Sequence, residues 1–243
     1  MTDVMQSKAF WQDIWTLSIA ISALLNYPHE ITEHEKDEAT SEVKRAELPP
    51  ILTQELLDAI NKRHVNQRPP SSVLDIFLQS TVRSIERART KGVQILTELL
   101  KKHVDSGCAV FIDSFDQAIS TAYPENFDIW CSGQAGLLKA AWELSRHSRH
   151  VKIFVTVRQE AYAFFGNDPE FNNIKGSVLL IEYSKDDLAA IFDKAILHYE
   201  NLGSIEEFVG LEEIYNGYLR VHEPIFDYIY RHTIGVPRWL MVI

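Results

Sequence analysis

Two carboxylates stand three residues apart where a short apolar run ends: the run at 108–112, CAVFI, is followed directly by Asp113, and Asp116 comes three positions later. A second run of the same kind, VKIFVTV at 151–157, ends in Thr156-Val157-Arg158. Ligands of parallel sheets bind beyond the carboxyl ends of the strands, so residues leaving such runs are where chemistry is sought first. Paired carboxylates on a loop leaving a buried strand need a cation or hydrogen-bond donors to hold them. Magnesium-assisted phosphoryl transfer uses that arrangement, with one aspartate tied to the hydrated cation and a second acid orienting the attacking water. A guanidinium at the same edge can reach a terminal phosphate or its transition-state charge. The plainer role of Arg158 is a salt bridge to Asp116 or Glu160. A metal-dependent nuclease could also use Asp113 and Asp116, but it needs a further acid and a strand-borne lysine that the sequence does not display.

The elements that must position these groups follow from periodicity. Continuous apolar runs of five to seven residues after turn signals read as fully buried strands. Asp105-Ser106-Gly107 precedes the first run, and Trp130, Leu137, Leu138, Ala141, Trp142 and Leu144 mark a helix between the two. Strand, helix, strand at these lengths is a parallel crossover unit. A third strand is expected at 178–181, after a helix at 158–165 and the turn Gly166-Asn167-Asp168-Pro169, and Ser184 with Asp187 caps a helix reaching about Tyr199. Upstream, 10–25 reads as a buried helix, and 27–50 as an acidic surface loop ending in Pro49-Pro50. His29 and His34 lie within that loop beside several carboxylates but without coordination spacing. Thr53 is read as the cap of a helix to Ile60, and 71–103 as a long helical stretch that Gly92 splits, with Arg83, Arg87, Arg89 and Lys91 on a wet face. Helical patterns at 205–218 and 221–232 close the chain. The fold class expected is α/β, a parallel sheet with flanking helices over 1–200, followed by a small helical lid at 201–243.

The strings CAVFIDSFDQAI, SGQAGLLKAAWEL, VKIFVTVRQEAY and GVPRWL, in that order, resemble the STAND and AAA-like branch of the P-loop NTPases, particularly bacterial ones. The resemblance covers about residues 105 to 240. It implies that Asp113 is the magnesium-associated Walker B aspartate and Asp116 the second acid of the hhhhDxxD form. It further implies that Arg158 is the sensor-one arginine, Pro237 the adenine-contacting proline and Arg238 a sensor-two residue. ATP and Mg2+ are the cofactors it implies, with ATP hydrolysis as the activity if a P-loop is present upstream, and a protein partner or self-association through the parent protein. The sequence departs from the family in one large respect: no GxxxxGK[ST] occurs, none of the 10 glycines having that context. The chain opens on a helix and stops within an apolar segment, so the expectation is an internal portion of a regulatory ATPase. The alternative is a non-catalytic interaction module on a degenerate NTPase fold.

Composition narrows the remaining classes. With 46% apolar and 24% charged residues, the chain is an ordinary globular sequence. Its net charge of −10 repels phosphate backbones and anionic lipid, so neither a nucleic-acid-coating role nor a membrane partner is supported. The longest apolar run, 14–25, is short of the roughly 20 residues a bilayer span requires, and no secretory leader is visible at 1–13; a cytoplasmic location is expected. Cys108 and Cys131 have no CxxC or Cys/His partners and read as buried thiols. No GxSxG or HExxH motif is present, His147 and His150 read as helix-end cations, and the tyrosines near the C-terminus read as helical core.

Overall fold

The structure, a computed structural model, describes residues 2–27, 32–61, 67–124, 126–181 and 183–233. It divides into two compact units, 1–177 and 178–243. The sequence reading places the helical segment from 201; the second unit takes in the preceding helix as well.

In the first unit a short helix, α1 (Thr2–Met5), leads into α2 (Lys8–Asn26), whose cap Ser7 accepts from the Phe10 amide. Every residue of α2 from Ile14 to Leu25 is buried, the mark of a helix apolar all round that other elements must enclose. It is enclosed by α4 (Pro50–Ile60), α5 (Pro70–Leu78), α6 (Val82–His103), α8 (Phe127–His147) and the strand β1 (Cys108–Ile112). Between α2 and α4 the chain forms α3 (Glu33–Arg45) where the sequence reading expects a loop. Only Ala39 and Val43 of α3 are buried, too few for an apolar period, yet Thr32 and Glu35 form a reciprocal capping box that starts the helix. Two boundaries also differ from expectation. Helix α4 opens at Pro50, a proline in the first turn, with Thr53 inside it. The long stretch breaks at 79–81, where Thr81 caps α6, and Gly92 lies inside α6. A Cβ at Gly92 would stand 3.1 to 3.2 Å from Leu17, the Ala46 carbonyl and Leu48, so glycine there permits close approach.

β1 pairs in parallel with β2 (Val151–Val155), Cys108 opposite Val151 through Ile112 opposite Val155. Between them lie α7 (Phe115–Ala122) and α8, and β2 leads into α9 (Gln159–Phe165) and two 3-10 turns at Pro169–Phe171 and Lys175–Ser177. An α/β arrangement is therefore present, with a parallel sheet of two strands among the described residues. The expected third strand at 178–181 is absent: Leu179, Leu180 and Ile181 are exposed coil. The two strands are not buried on both faces either. Cys108, Val110, Ile112, Val151, Ile153 and Val155 join the core, whereas Phe111 and Phe154, opposite one another, are 73% and 54% exposed and stack at 4.9 Å.

The second unit holds α10 (Lys185–Glu200), α11 (Ile205–Val209), the strands β3 (Glu213–Asn216) and β4 (Val221–Pro224) and α12 (Ile225–Thr233). Ser184 and Asp187 form the expected capping box at α10. The expected all-helical lid is corrected by the antiparallel pairing of β3 with β4. Asn216-Gly217 is a hairpin signal, and the Asn216 carbonyl oxygen of the side chain accepts from the amides of Tyr218 and Leu219 at 3.0 Å each. Leu188, Phe192, Ile196, Ile205, Ile225, Phe226 and Ile229 form a separate small core. Among the described residues no helix is long and apolar enough to cross a membrane.

Candidate functional site at the carboxyl edge of the sheet

The pairing of β1 with β2 carries Asp113 and Thr156 to the same edge. The Thr156 amide donates to the Ile112 carbonyl at 3.0 Å, one step beyond the ladder, and the Thr156 hydroxyl donates to the Asp113 carboxylate. Hydrogen bonds from Thr156 and from Ser114 hold the Asp113 carboxyl below the usual carboxylate range. The backbone turns sharply at Ser114, which adopts a left-handed φ of 58°. That turn drives Phe115 into the core, where its ring meets Trp15 edge-on at 4.4 Å and Trp11 at 5.9 Å. Phe115 thereby anchors the start of α7 and places Asp116 in its first turn, where the helix dipole favours a carboxylate.

Arg158 reaches the same place from β2. Its backbone amide donates at 2.7 Å to the side-chain oxygen of Gln134, which is buried in α8, and its Nε donates at 2.6 Å to Asp116. The hydrogen bond to Asp116, with the neighbouring carboxylates, pushes the guanidinium's already high pKa further up. With its guanidinium half exposed, the ion pair contributes about 1 kcal/mol to stability, so its interest is positional. Beside it opens a cleft of about 540 Å³ lined by Asp116, Arg158 and Glu160 together with Tyr123, Phe127 and Trp130.

Three of the residues selected from the sequence, Asp113, Asp116 and Arg158, are thus brought together, and of the two salt-bridge partners weighed for Arg158, Asp116 is the one hydrogen-bonded. Pro237 and Arg238 lie outside the described residues, as does His29. Gln134, Tyr123 and Phe127 are not among the residues the sequence points to; the one amide side chain in the uncharged stretch of α8 from Ile129 to Leu138 is the signal for the first. Among the described residues no group of three or more His, Cys, Asp or Glu is gathered as a metal cage. The donor set does suit a magnesium ion held as that ion is commonly held, through one or two carboxylates with water and substrate phosphates completing the shell. Cys131, buried, has its thiol pushed up to about 11 by burial and by the Asp128 charge, and Cys108 is raised by burial, so neither is poised as a nucleophile. No family model, curated protein or solved structure matches the chain.

Proposed function

We propose that this chain supplies the metal-and-sensor edge of a nucleotide-dependent switch of the P-loop ATPase kind, in the cytoplasm. The reading rests on one observation: the carboxyl ends of two adjacent parallel strands present Asp113 with Thr156 and Asp116 with Arg158 as two side-chain pairs. Magnesium, when bound with ATP, would neutralise charge on the β- and γ-phosphates. Asp113, whose carboxyl is held below the usual carboxylate range by the Thr156 and Ser114 donors, would hold the ion directly or through water. Asp116 would accept a hydrogen bond from the attacking water. Arg158, whose bond to Asp116 uses Nε, keeps its terminal nitrogens for a phosphate oxygen. The sequence has no Gly-x-x-x-x-Gly-Lys loop, so the phosphates would be cradled by residues outside this sequence, and the sheet edge of this chain alone binds ATP weakly.

The test suits weak binding. Titration of the isotope-labelled chain with Mn2+ and ATP should broaden the amide signals of Ser114, Thr156 and Arg158 selectively, and Asp113→Ala should abolish the effect. Broadening of these three signals that survives Asp113→Ala, or none at the sheet edge, overturns the reading. A second reading, a non-catalytic interaction module, is favoured by the exposed Phe111–Phe154 stack; it expects no response at the sheet edge at all.

A further inference from the structure

A second cleft, of about 890 Å³, lies in the same unit between the turn that joins α3 to α4 and the first half of α6. Arg83, Arg87 and Lys91 line it at four-residue intervals. Four residues of α-helix rise about 6 Å, so the three cations form a row about 12 Å long on one face of α6. The acids beside them do not balance the row. Glu47 pairs with Lys91 and lies 3.8 Å from Arg87. Glu86 is taken by Arg89, a residue outside the lining, at 2.8 Å. Arg83 makes no ion pair among the described residues. In a chain of net charge −10 this is a local excess of positive charge set in a concavity.

We propose that this cleft is a binding site for a linear oligophosphate, taken either as inorganic polyphosphate or as the phosphate chain of a nucleotide. The row calls for an anion with charge distributed along its length, because a single compact ion could meet only one turn of it. Guanidinium forks and an ammonium, with the hydroxyls of Thr81 and Ser84 also lining the cleft, are donors suited to phosphate oxygens. A peptide would find little to hold its side chains, since the apolar lining is Leu48 and Pro50. A nucleic acid would have to run on past Glu47 and Glu86 over an acidic protein. Glu47 occupies the site as an internal anion. It sits at the C-terminal end of α3 with a left-handed φ of 50°, a conformation that glycine or asparagine adopts more readily there, and its carboxylate lies where a phosphate would lie. An incoming oligophosphate displaces that carboxylate from Arg87 and Lys91 and adds Arg83.

Calorimetric titration of the full chain with sodium tripolyphosphate, without divalent metal and at low salt, tests this independently of the sheet-edge reading. Saturable binding is expected that weakens as salt rises. Arg83→Gln with Arg87→Gln should lower the affinity at least tenfold, and Glu47→Gln should raise it severalfold by removing the internal competitor. Asp113→Ala and Arg158→Ala should leave it unchanged. Equal affinity for ATP and tripolyphosphate identifies the phosphate chain as the whole ligand; tighter binding of ATP, still dependent on Arg83 and Arg87, identifies a nucleotide. The proposal is overturned by an absence of saturable binding, by loss of binding with Arg158→Ala but not with the α6 variants, or by a single-stranded oligonucleotide that binds through α6 when tripolyphosphate does not. Circular dichroism of the α6 and Glu47 variants, all on the surface, confirms that each remains folded.

Discussion

Two tryptophans one helical turn apart on α2 are both fully buried, yet their indole nitrogens fare differently. Trp11 donates to the Met5 carbonyl at 2.6 Å, while the Trp15 Nε1 has no acceptor among the described residues. A buried donor left unmade costs about 1–3 kcal/mol. Trp15→Phe removes that unmade donor, whereas Trp11→Phe strands the Met5 carbonyl. Trp11→Phe should therefore destabilise the first unit by about 1–3 kcal/mol more than Trp15→Phe, a difference that urea midpoints at constant m-value would report. If the two variants unfold together, the Met5 bond is not contributing. At the sheet edge the corresponding question is one of charge. Asp113 has a folded-state pKa below its unfolded value, so its contribution to stability is complete above the ordinary carboxylate range and is lost as pH falls through the lowered folded value. Asp113→Asn should accordingly be less stable than the native chain at pH 7, and the gap should narrow as pH falls below the ordinary aspartate value of about 3.9. A gap constant with pH would mean that the Thr156 and Ser114 donors serve asparagine as well as aspartate.

Elements come together most closely where α2 crosses α8. A Cβ placed on Gly136 would stand 2.6 Å from the Gln12 amide nitrogen and 2.7 Å from the Trp11 carbonyl carbon, both backbone atoms that cannot swing aside. At Gly133 the nearest obstacle is the end of the Ile119 side chain, which can change rotamer. Gly136→Ala should therefore cost about 1–3 kcal/mol through overpacking even after the roughly 1 kcal/mol gained in helix propensity, while Gly133→Ala should be near neutral. Thermal unfolding of the pair measures the contrast, and equal melting temperatures would show that α2 and α8 can separate freely. The packing role of Gly136 was not legible in the sequence, because the partner backbone at Trp11 and Gln12 arrives from more than a hundred residues away. What was legible depended on local signals that nothing distant opposed. The runs at 108–112 and 151–155 lie between turn residues and became strands, and their parallel pairing put Asp113 and Arg158 where the crossover argument had put them. The same apolar run-length misled on burial: Phe111 and Phe154 read as core, but nothing in the sequence says that only one face of the sheet is covered. In α3 and in the β3–β4 hairpin the short-range cues were present, Thr32 with Glu35 and Asn216-Gly217, but a polar composition and a tyrosine-rich helical pattern outweighed them. Gln134 stayed hidden because its role is to accept from a backbone amide, which leaves no mark at residue 158.

For the molecule as a whole, the −10 net charge and the uncovered sheet face act in opposite directions. Like charge keeps copies of the chain apart, while two strand edges and a pair of stacked rings invite association. The rings lie toward the carboxyl end of the exposed sheet face, with Ala109 and Lys152 also exposed on it. Among the residues of the two strands Lys152 is the one charge, and its Nζ is drawn back to the Ser145 carbonyl at 3.1 Å. Self-association should thus be weak at low salt and grow as salt screens the repulsion, the reverse of what an ion-paired contact would do. Replacing both Phe111 and Phe154 by threonine keeps β-propensity while removing most of the exposed apolar area. The double variant should bind less hydrophobic dye, sediment as a monomer at a salt concentration where the native chain associates, and unfold at nearly the same denaturant concentration, since little buried surface is lost. A large fall in stability would show that the rings are held as core rather than displayed. Unchanged association would move the contact to another exposed apolar segment, of which Leu179, Leu180 and Ile181 are the next to substitute.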